Sequence, residues 1–177
     1  MDFVSLPEDL LARARRVRFV LSDVDGCLTD AGVYVSEKGE ELKRFSLRDG
    51  MGVERLRRHL SIETGFVTRE PSGFAAARSR KLSVALVETA ALRKDETVRR
   101  LAAERGLEPA QVAFLGDDVN DLPAFRVVGL AACPSDAFFL VRAAAHHVCP
   151  SPGGHGAFRD LAELVLFARL GETPLAD

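Results

Sequence analysis

Short apolar runs alternate along the chain with longer stretches in which apolar residues recur at helical spacing. The apolar runs predict strands at Val17–Leu21, Ile62–Val67, Val84–Val87, Val112–Leu115 and Leu130–Cys133. The helical spacing predicts a first helix that ends at about Arg16, and further helices at Gly52–Leu60, Gly73–Leu82, Asp95–Arg105, Asp121–Val127, Phe138–Ala144 and Ala157–Leu170. Continuous apolar runs are typical of strands buried on both faces. Strand–helix alternation therefore predicts an α/β fold, a Rossmann-like doubly wound parallel sheet.

One segment departs from this alternation. Val33–Val35 and Leu42–Phe45 flank the polar turn Glu37–Glu40, and this arrangement predicts a β-hairpin at about residues 33–46. No internal repeat or linker interrupts the 177 residues, and this length suits one domain over residues 1–177.

Charge and cysteine content narrow the class of protein. With 24 basic and 26 acidic residues, the net charge of −2 favours neither nucleic acid nor an anionic membrane as partner. Cys27, Cys133 and Cys149 lie far apart without a C-x-x-C pair, as expected of reduced thiols. No apolar run approaches the roughly 20 residues that span a bilayer, and no secretory signal precedes the first helix. A cytoplasmic location is expected.

Acidic residues follow two of the predicted strands. Asp23 and Asp25 come directly after the first strand, and Asp117, Asp118 and Asp121 come after Val112–Leu115. If those strands are neighbours, both groups of carboxylates lie at one edge of the sheet. Like charges repel strongly in a cleft of low dielectric constant. The two clusters therefore predict a bound divalent metal ion.

Two further polar residues fall at the same predicted edge. Thr68 ends the strand Ile62–Val67, and Lys94 opens the helix Asp95–Arg105. Each taken alone is more typical of a helix cap or a solvated side chain.

Four features, taken in chain order, resemble the haloacid dehalogenase superfamily of phosphatases. They are the Asp-x-Asp-Gly-x-Leu-Thr motif that begins at Asp23, Thr68, Lys94, and the Gly-Asp-Asp-x-x-Asp motif that contains Asp117. The resemblance implies that Asp23 is the nucleophile and that Asp25 is the general acid and base. It implies Mg²⁺ held by the Asp23 and Asp117 carboxylates and the Asp25 backbone carbonyl, with Thr68 and Lys94 on the phosphoryl oxygens. Asp118 and Asp121 are expected to hold the loop or the waters of the metal.

About 44 residues separate Asp23 from Thr68, which leaves no room for a cap domain. A capless chain with this hairpin and the late Gly153-Gly154 pair is similar to the phosphatases of 2-keto-3-deoxy sugar acids, typified by the 3-deoxy-manno-octulosonate (KDO) 8-phosphate phosphatases. That likeness implies a homotetramer in which hairpins pair and a neighbouring subunit covers each active site. Val33, Val35 and Phe45 would then be interface residues.

The residues after Thr68 bear on the substrate. Glu70, Arg78 and Lys81 are similar to the pattern of relatives acting on nine-carbon acids such as 2-keto-3-deoxynononate (KDN) 9-phosphate. Their chemistry suits sugar hydroxyls and a substrate carboxylate. We also expect Arg48 to reach the substrate across a subunit boundary. Arg69 and Pro152 depart from the usual glycine and arginine of the family. The nine-carbon acid is favoured, and KDO 8-phosphate stays open.

Two other classes of protein compete with a phosphatase. A signalling receiver domain has a similar set of residues, but in a receiver the residue that accepts the phosphoryl group follows a middle strand and the paired acids follow the first. Here the Asp-x-Asp-Gly motif follows the first strand and the Gly-Asp-Asp motif comes after Lys94, so the order of the motifs does not match a receiver domain. A catalytically weak oligomerisation module, like the domains fused to sialic-acid cytidylyltransferases, remains the alternative.

The run Arg55, Arg57 and Arg58 is interpreted as a solvated helix face.

Overall fold

A computed structural model describes residues 5–71, 73–84, 86–172 and 174 of the chain. Within them one parallel sheet has the order β5-β4-β1-β6-β7-β8, where the strands are β1 (Phe19–Ser22), β4 (Glu63–Val67), β5 (Leu86–Glu88), β6 (Val112–Leu115), β7 (Leu130–Cys133) and β8 (His147–Val148). The strand order reverses between β1 and β6. Such a switch point opens a crevice at the carboxyl ends of the strands.

Helices cover both faces of this sheet. They are α1 (Glu8–Arg16), α2 (Leu47–Leu60), α3 (Gly73–Leu82), α4 (Lys94–Ala103), α5 (Leu122–Phe125), α6 (Phe139–Ala144) and α7 (Ala157–Leu170). Alternate strand residues enter different cores: Phe19 and Leu21 pack with α4–α6, whereas Val20 packs with α1, α2, α3 and α7. Side chains that alternate between two buried faces explain why the strands are continuously apolar. The predicted doubly wound α/β fold is confirmed.

The remaining strands, β2 (Thr29–Ser36) and β3 (Gly39–Phe45), form the predicted antiparallel hairpin. Between Asp23 and Thr68 the described chain forms only this hairpin, α2 and the sheet strand β4, so no cap domain lies there, as predicted. None of the helices in the described ranges is both long and apolar enough to cross a bilayer.

The start of α2 differs from the sequence-based prediction. The helix begins at Leu47 rather than Gly52, and the Ser46 hydroxyl oxygen accepts a hydrogen bond from the backbone N–H of Arg48 (3.1 Å). Gly50 and Gly52 weaken the helical signal of this first part, because glycine disfavours helix. Gly52 allows α2 to pack closely against α7, since a Cβ there would lie 3.1 Å from the Cα of Arg159.

Buried polar contacts join α2 to α7. Asp49 Oδ1 accepts from the backbone N–H of Arg159 (3.1 Å), in the first turn of α7. Arg55 is 3% exposed, and its Nε donates to Glu163 Oε1 (2.8 Å). The prediction that Arg55 lies on a solvated face is therefore wrong, because α7 packs over that side of α2; Arg57 and Arg58 are exposed as expected.

Replacing Glu163 by alanine should destabilise the fold, because it leaves the Arg55 guanidinium buried without its carboxylate. We expect a loss of about 3 kcal/mol in the free energy of unfolding, the scale for breaking a buried ion pair. Urea unfolding measures it. The control is Glu54→Ala on the exposed side of α2, expected to change stability by less than about 0.5 kcal/mol. Equal losses in the two variants would contradict the role of the buried pair.

Candidate active site

The pairing of β1 with β6 brings the two acidic clusters together. Ser22 is in register with Leu115, and the backbone N–H of Asp23 donates to the carbonyl of Leu115 (2.8 Å). The segments that follow β1 and β6 therefore separate only after Asp23. One carboxylate oxygen each of Asp23, Asp117 and Asp121 lies within 4.8 Å of the others. The predicted convergence of acids that are distant in the sequence is therefore present in the structure.

Lys94 lies inside this acidic cluster. Its side chain is 1% exposed, and its Nζ is 2.9 Å from Asp23 Oδ2 and 2.5 Å from Asp121 Oδ1. The other oxygen of Asp121 accepts hydrogen bonds from the backbone N–H groups of Asp117 (2.9 Å) and Asp118 (3.3 Å). Both oxygens of Asp121 therefore have partners, in keeping with the expectation that this residue holds the loop.

The positive charge of Lys94 does not balance the negative charge of the carboxylates around it. Burial and then the charge of Asp121 raise the pKa of Asp23 to about 7, although Lys94 opposes this. Burial and the charges of Asp23 and Asp121 raise the pKa of Asp117 to about 8. Oxygen donors that hold excess negative charge in a confined site are the ligands a hard divalent cation requires. The residues present fit such an ion.

Glycines let the acidic loops approach one another. Gly26 has a φ of +81°, and a Cβ there would lie 2.0 Å from Asp117 Oδ2. The Gly153-Gly154 pair packs behind the same turn: a Cβ on Gly153 would lie 1.9 Å from the Gly26 carbonyl oxygen, and the Gly154 N–H donates to the carbonyl of Cys27 (2.9 Å). A side chain at Gly26 or Gly153 would therefore push the first motif out of place.

An open cavity of about 460 Å³ lies over these groups. Its lining includes the predicted residues Asp23, Asp25, Thr68, Glu70 and Asp117, together with Ala31, Arg69, Pro71, Asp118 and Asn120. The Thr68 hydroxyl oxygen accepts from the backbone N–H of Glu70 (3.0 Å), which leaves its hydrogen available to an acceptor in the cavity.

Sequence reasoning assigned no role to Lys43, which contacts Asp25. Lys43 lies on β3 with its side chain 3% exposed, and its Nζ is 2.9 Å from Asp25 Oδ1. Burial lowers the pKa of Lys43, but the hydrogen bond and charge of Asp25 outweigh it, so the pKa lies above its ordinary value. The available signal was strand periodicity, since Lys43 shares a face of β3 with Phe45, which packs against the core.

Three predicted substrate-binding residues do not line the cavity. The Arg78 guanidinium donates to the Ser46 carbonyl (2.7 Å) and lies 5.7 Å from the centre of the Phe45 ring. Lys81 and Arg48 are exposed on α3 and in the first turn of α2. A contact of these side chains with substrate stays a prediction that involves a neighbouring subunit or a rearrangement.

Comparison with known proteins places this geometry in a family. A model of the haloacid dehalogenase-like hydrolases matches residues 56–159. The chain is 33% identical over 162 residues to the 3-deoxy-D-manno-octulosonate 8-phosphate phosphatase of Yersinia pestis, covering 92% of this chain and 86% of that protein.

Solved structures give the same picture. The cobalt-bound deoxy-D-mannose-octulosonate 8-phosphate phosphatase of Haemophilus influenzae superposes with a TM-score of 0.85 at 33% identity, covering 89% of this chain and 91% of that one. The enzyme of Moraxella catarrhalis, in complex with magnesium, phosphate and KDO, superposes with a TM-score of 0.88 at 27% identity over 93% of this chain and 94% of that one.

These findings confirm the resemblance stated from the motifs and the prediction of a phosphatase, and two of the neighbours are metal-bound. The chain belongs to the haloacid dehalogenase-like hydrolases, and it is a phosphatase of that family.

Proposed function

We propose that the chain is a Mg²⁺-dependent phosphatase of a 2-keto-3-deoxy sugar acid phosphate that works through an aspartyl-phosphate at Asp23. The observation that carries the proposal is the placement of Asp23 at the floor of the cavity, with Asp117 and Lys94 against it and Thr68 in the cavity wall. Phosphoryl transfer asks of a protein mainly positioning and neutralisation of charge, and this arrangement supplies both.

In the first step a carboxylate oxygen of Asp23 attacks phosphorus while the bond from phosphorus to the sugar oxygen breaks. Asp25 gives its proton to that leaving oxygen. Thr68 and Lys94 hold the phosphoryl oxygens. The carboxylates of Asp23 and Asp117 and the backbone carbonyl of Asp25 would hold Mg²⁺, which would supply neutralisation of the negative charge of the nucleophile and the phosphate.

In the second step a water molecule attacks the phosphorus of the aspartyl-phosphate. Asp25, now a carboxylate, takes a proton from that water, and the bond from phosphorus to Asp23 breaks. Inorganic phosphate leaves, and both aspartates return to their starting states. The complete set of residues for both steps argues against the alternative of a catalytically weak oligomerisation module.

Replacing Asp23 by asparagine should abolish this chemistry, since an amide oxygen is too weak a nucleophile to form the intermediate. We expect Mg²⁺-dependent hydrolysis of p-nitrophenyl phosphate to fall by at least about 10⁴-fold, comparable with the loss of other catalytic nucleophiles, while the melting temperature changes little. Asp9→Asn on the exposed side of α1 is the control and should retain full activity. Normal turnover by the Asp23 variant would reject the nucleophile assignment.

The identity of the sugar acid has two candidates. KDO 8-phosphate is supported by the activity of the relatives, which align over most of the chain. A nine-carbon acid such as KDN 9-phosphate is supported by Glu70, which lines the cavity beside Thr68. A carboxylate there accepts hydrogen bonds from sugar hydroxyls, and a longer polyol chain offers more of them.

Replacing Glu70 by alanine separates these candidates. If a nine-carbon acid is the substrate, the loss of hydrogen bonds to a charged acceptor should lower kcat/KM for KDN 9-phosphate by about 10- to 100-fold. The value for KDO 8-phosphate should change far less. Steady-state kinetics on both phosphates measures it, each substrate serving as the control for the other. Equal losses would remove Glu70 as the reason to favour the nine-carbon acid.

We further propose that the chain assembles as a homotetramer through its hairpin. The apolar side chains of Val33, Tyr34, Val35 and Leu42 are 42–70% exposed. An isolated two-stranded hairpin that exposes this much apolar surface is marginally stable in water, and further copies of the chain would cover that surface. A cytoplasmic location also stays part of the proposal.

A charged side chain in this apolar surface of the hairpin should disrupt assembly, because the charge would be buried without a partner. We expect Val35→Asp to reduce the mass in light scattering from that of four chains to that of one. Lys38→Glu in the exposed turn is the control and should keep the wild-type mass. A monomeric wild type, or a Val35 variant that still forms tetramers, would contradict the interface.

A further inference from the structure

The contact between Lys43 and Asp25 lies in the active site but has no role in the mechanism described above. It lies on the hairpin, 18 residues after Asp25, and reaches back to that residue's carboxylate at 2.9 Å. The Asp25 side chain is 32% exposed and lines the cavity, whereas the Lys43 side chain is almost completely covered. A buried ammonium is costly unless it is paired, so its burial at this place calls for an explanation.

The surroundings of Lys43 fix its position. Its Nζ is 3.7 Å from Glu40 Oε2 and 5.6 Å from the centre of the Phe74 ring on α3. These contacts come from the hairpin and from α3, so the ammonium is supported independently of Asp25. A supported donor can orient the group that it contacts.

Among the described residues, hydrogen bonds reach only one of the two carboxylate oxygens of Asp25. Lys43 binds Oδ1, and within the described part of the chain Oδ2 accepts no hydrogen bond. A carboxyl group held at one oxygen by a fixed donor keeps the plane and direction of the other oxygen. Proton transfer requires such control, because the donor and acceptor atoms must be at hydrogen-bond distance and aligned.

We propose that Lys43 is a positioning residue that holds Asp25 at Oδ1, so that Oδ2 faces the leaving oxygen of the phosphate ester and then the hydrolytic water. The inference rests on the proposed acid–base role of Asp25. Lys43 itself transfers no proton and forms no covalent bond; it acts through Asp25 alone. The competing view is that the ion pair only attaches the hairpin to the rest of the chain.

The dependence on the leaving group separates the two views. A p-nitrophenolate leaves without protonation, whereas the alkoxide of β-glycerophosphate requires a proton from Asp25. We expect Lys43→Met to lower kcat/KM for β-glycerophosphate by about 100-fold, the lower range for general acid catalysis, and for p-nitrophenyl phosphate by less than threefold. Lys43→Arg, which keeps the cation, should recover part of the loss. Lys38→Met removes a lysine from the exposed hairpin turn and should match the wild type on both esters.

A double-mutant cycle tests whether Lys43 acts through Asp25. In an Asp25→Asn background, which keeps the backbone carbonyl, adding Lys43→Met should have no further effect on the residual hydrolysis of β-glycerophosphate. Thermal melting and light scattering verify that each variant is folded and assembled as the wild type.

Three results would overturn the inference. Equal losses on both esters, in the single Lys43→Met variant, would mean that Lys43 only supports the hairpin. Additive losses in the cycle would mean that it acts elsewhere. If Asp25→Asn leaves β-glycerophosphate hydrolysis unchanged, the acid role of Asp25 fails and the inference fails with it; if that variant loses activity and Lys43→Met does not, only the inference about Lys43 fails.

Discussion

The repulsion among buried carboxylates is the constraint on which the rest of this structure depends. Backbone pairing between β1 and β6 brings Asp23, Asp117 and Asp121 together although their carboxylates repel one another. Lys94 compensates part of the charge, while burial and then the neighbouring carboxylates raise the pKa of Asp23 and of Asp117. The energy of the folded core therefore maintains a site that has a strong affinity for positive charge, as a divalent metal ion requires.

The hairpin links this site to the outside of the molecule. On β3, Leu42 is exposed while the neighbouring Lys43 is covered and contacts Asp25. Alternation along one strand thus places an apolar surface and an active-site contact back to back. In a protein without a cap, such a strand offers a direct physical route by which association with another chain could affect the chemistry.

Much of the fold was predictable because it depends on local patterns. Continuous apolar runs predicted strands, and the predicted bounds of Val112–Leu115 and Leu130–Cys133 are the observed ones. Acidic residues at the ends of two strands predicted the edge of the sheet at which the carboxylates converge. The failures came from tertiary packing. The first turn of α2 was hidden by Gly50, which packs against α3, and by Gly52, which packs against α7. The burial of Arg55 depends on a partner 108 positions away. The contact of Lys43 with Asp25 depends on how the hairpin folds back, which periodicity alone does not specify.

The close packing at Gly26 has a consequence for how the sequence can change. Because the Asp117 side chain on one side and Gly153 on the other lie so close to it, this turn has no room for a side chain unless its neighbours move. Arg69, Glu70 and Pro71 line the cavity from a different loop. Substitutions that accumulate over evolution can therefore alter which molecule is chosen while the reacting centre stays as it is, so a single ancestral scaffold is able to give rise to enzymes with different preferences.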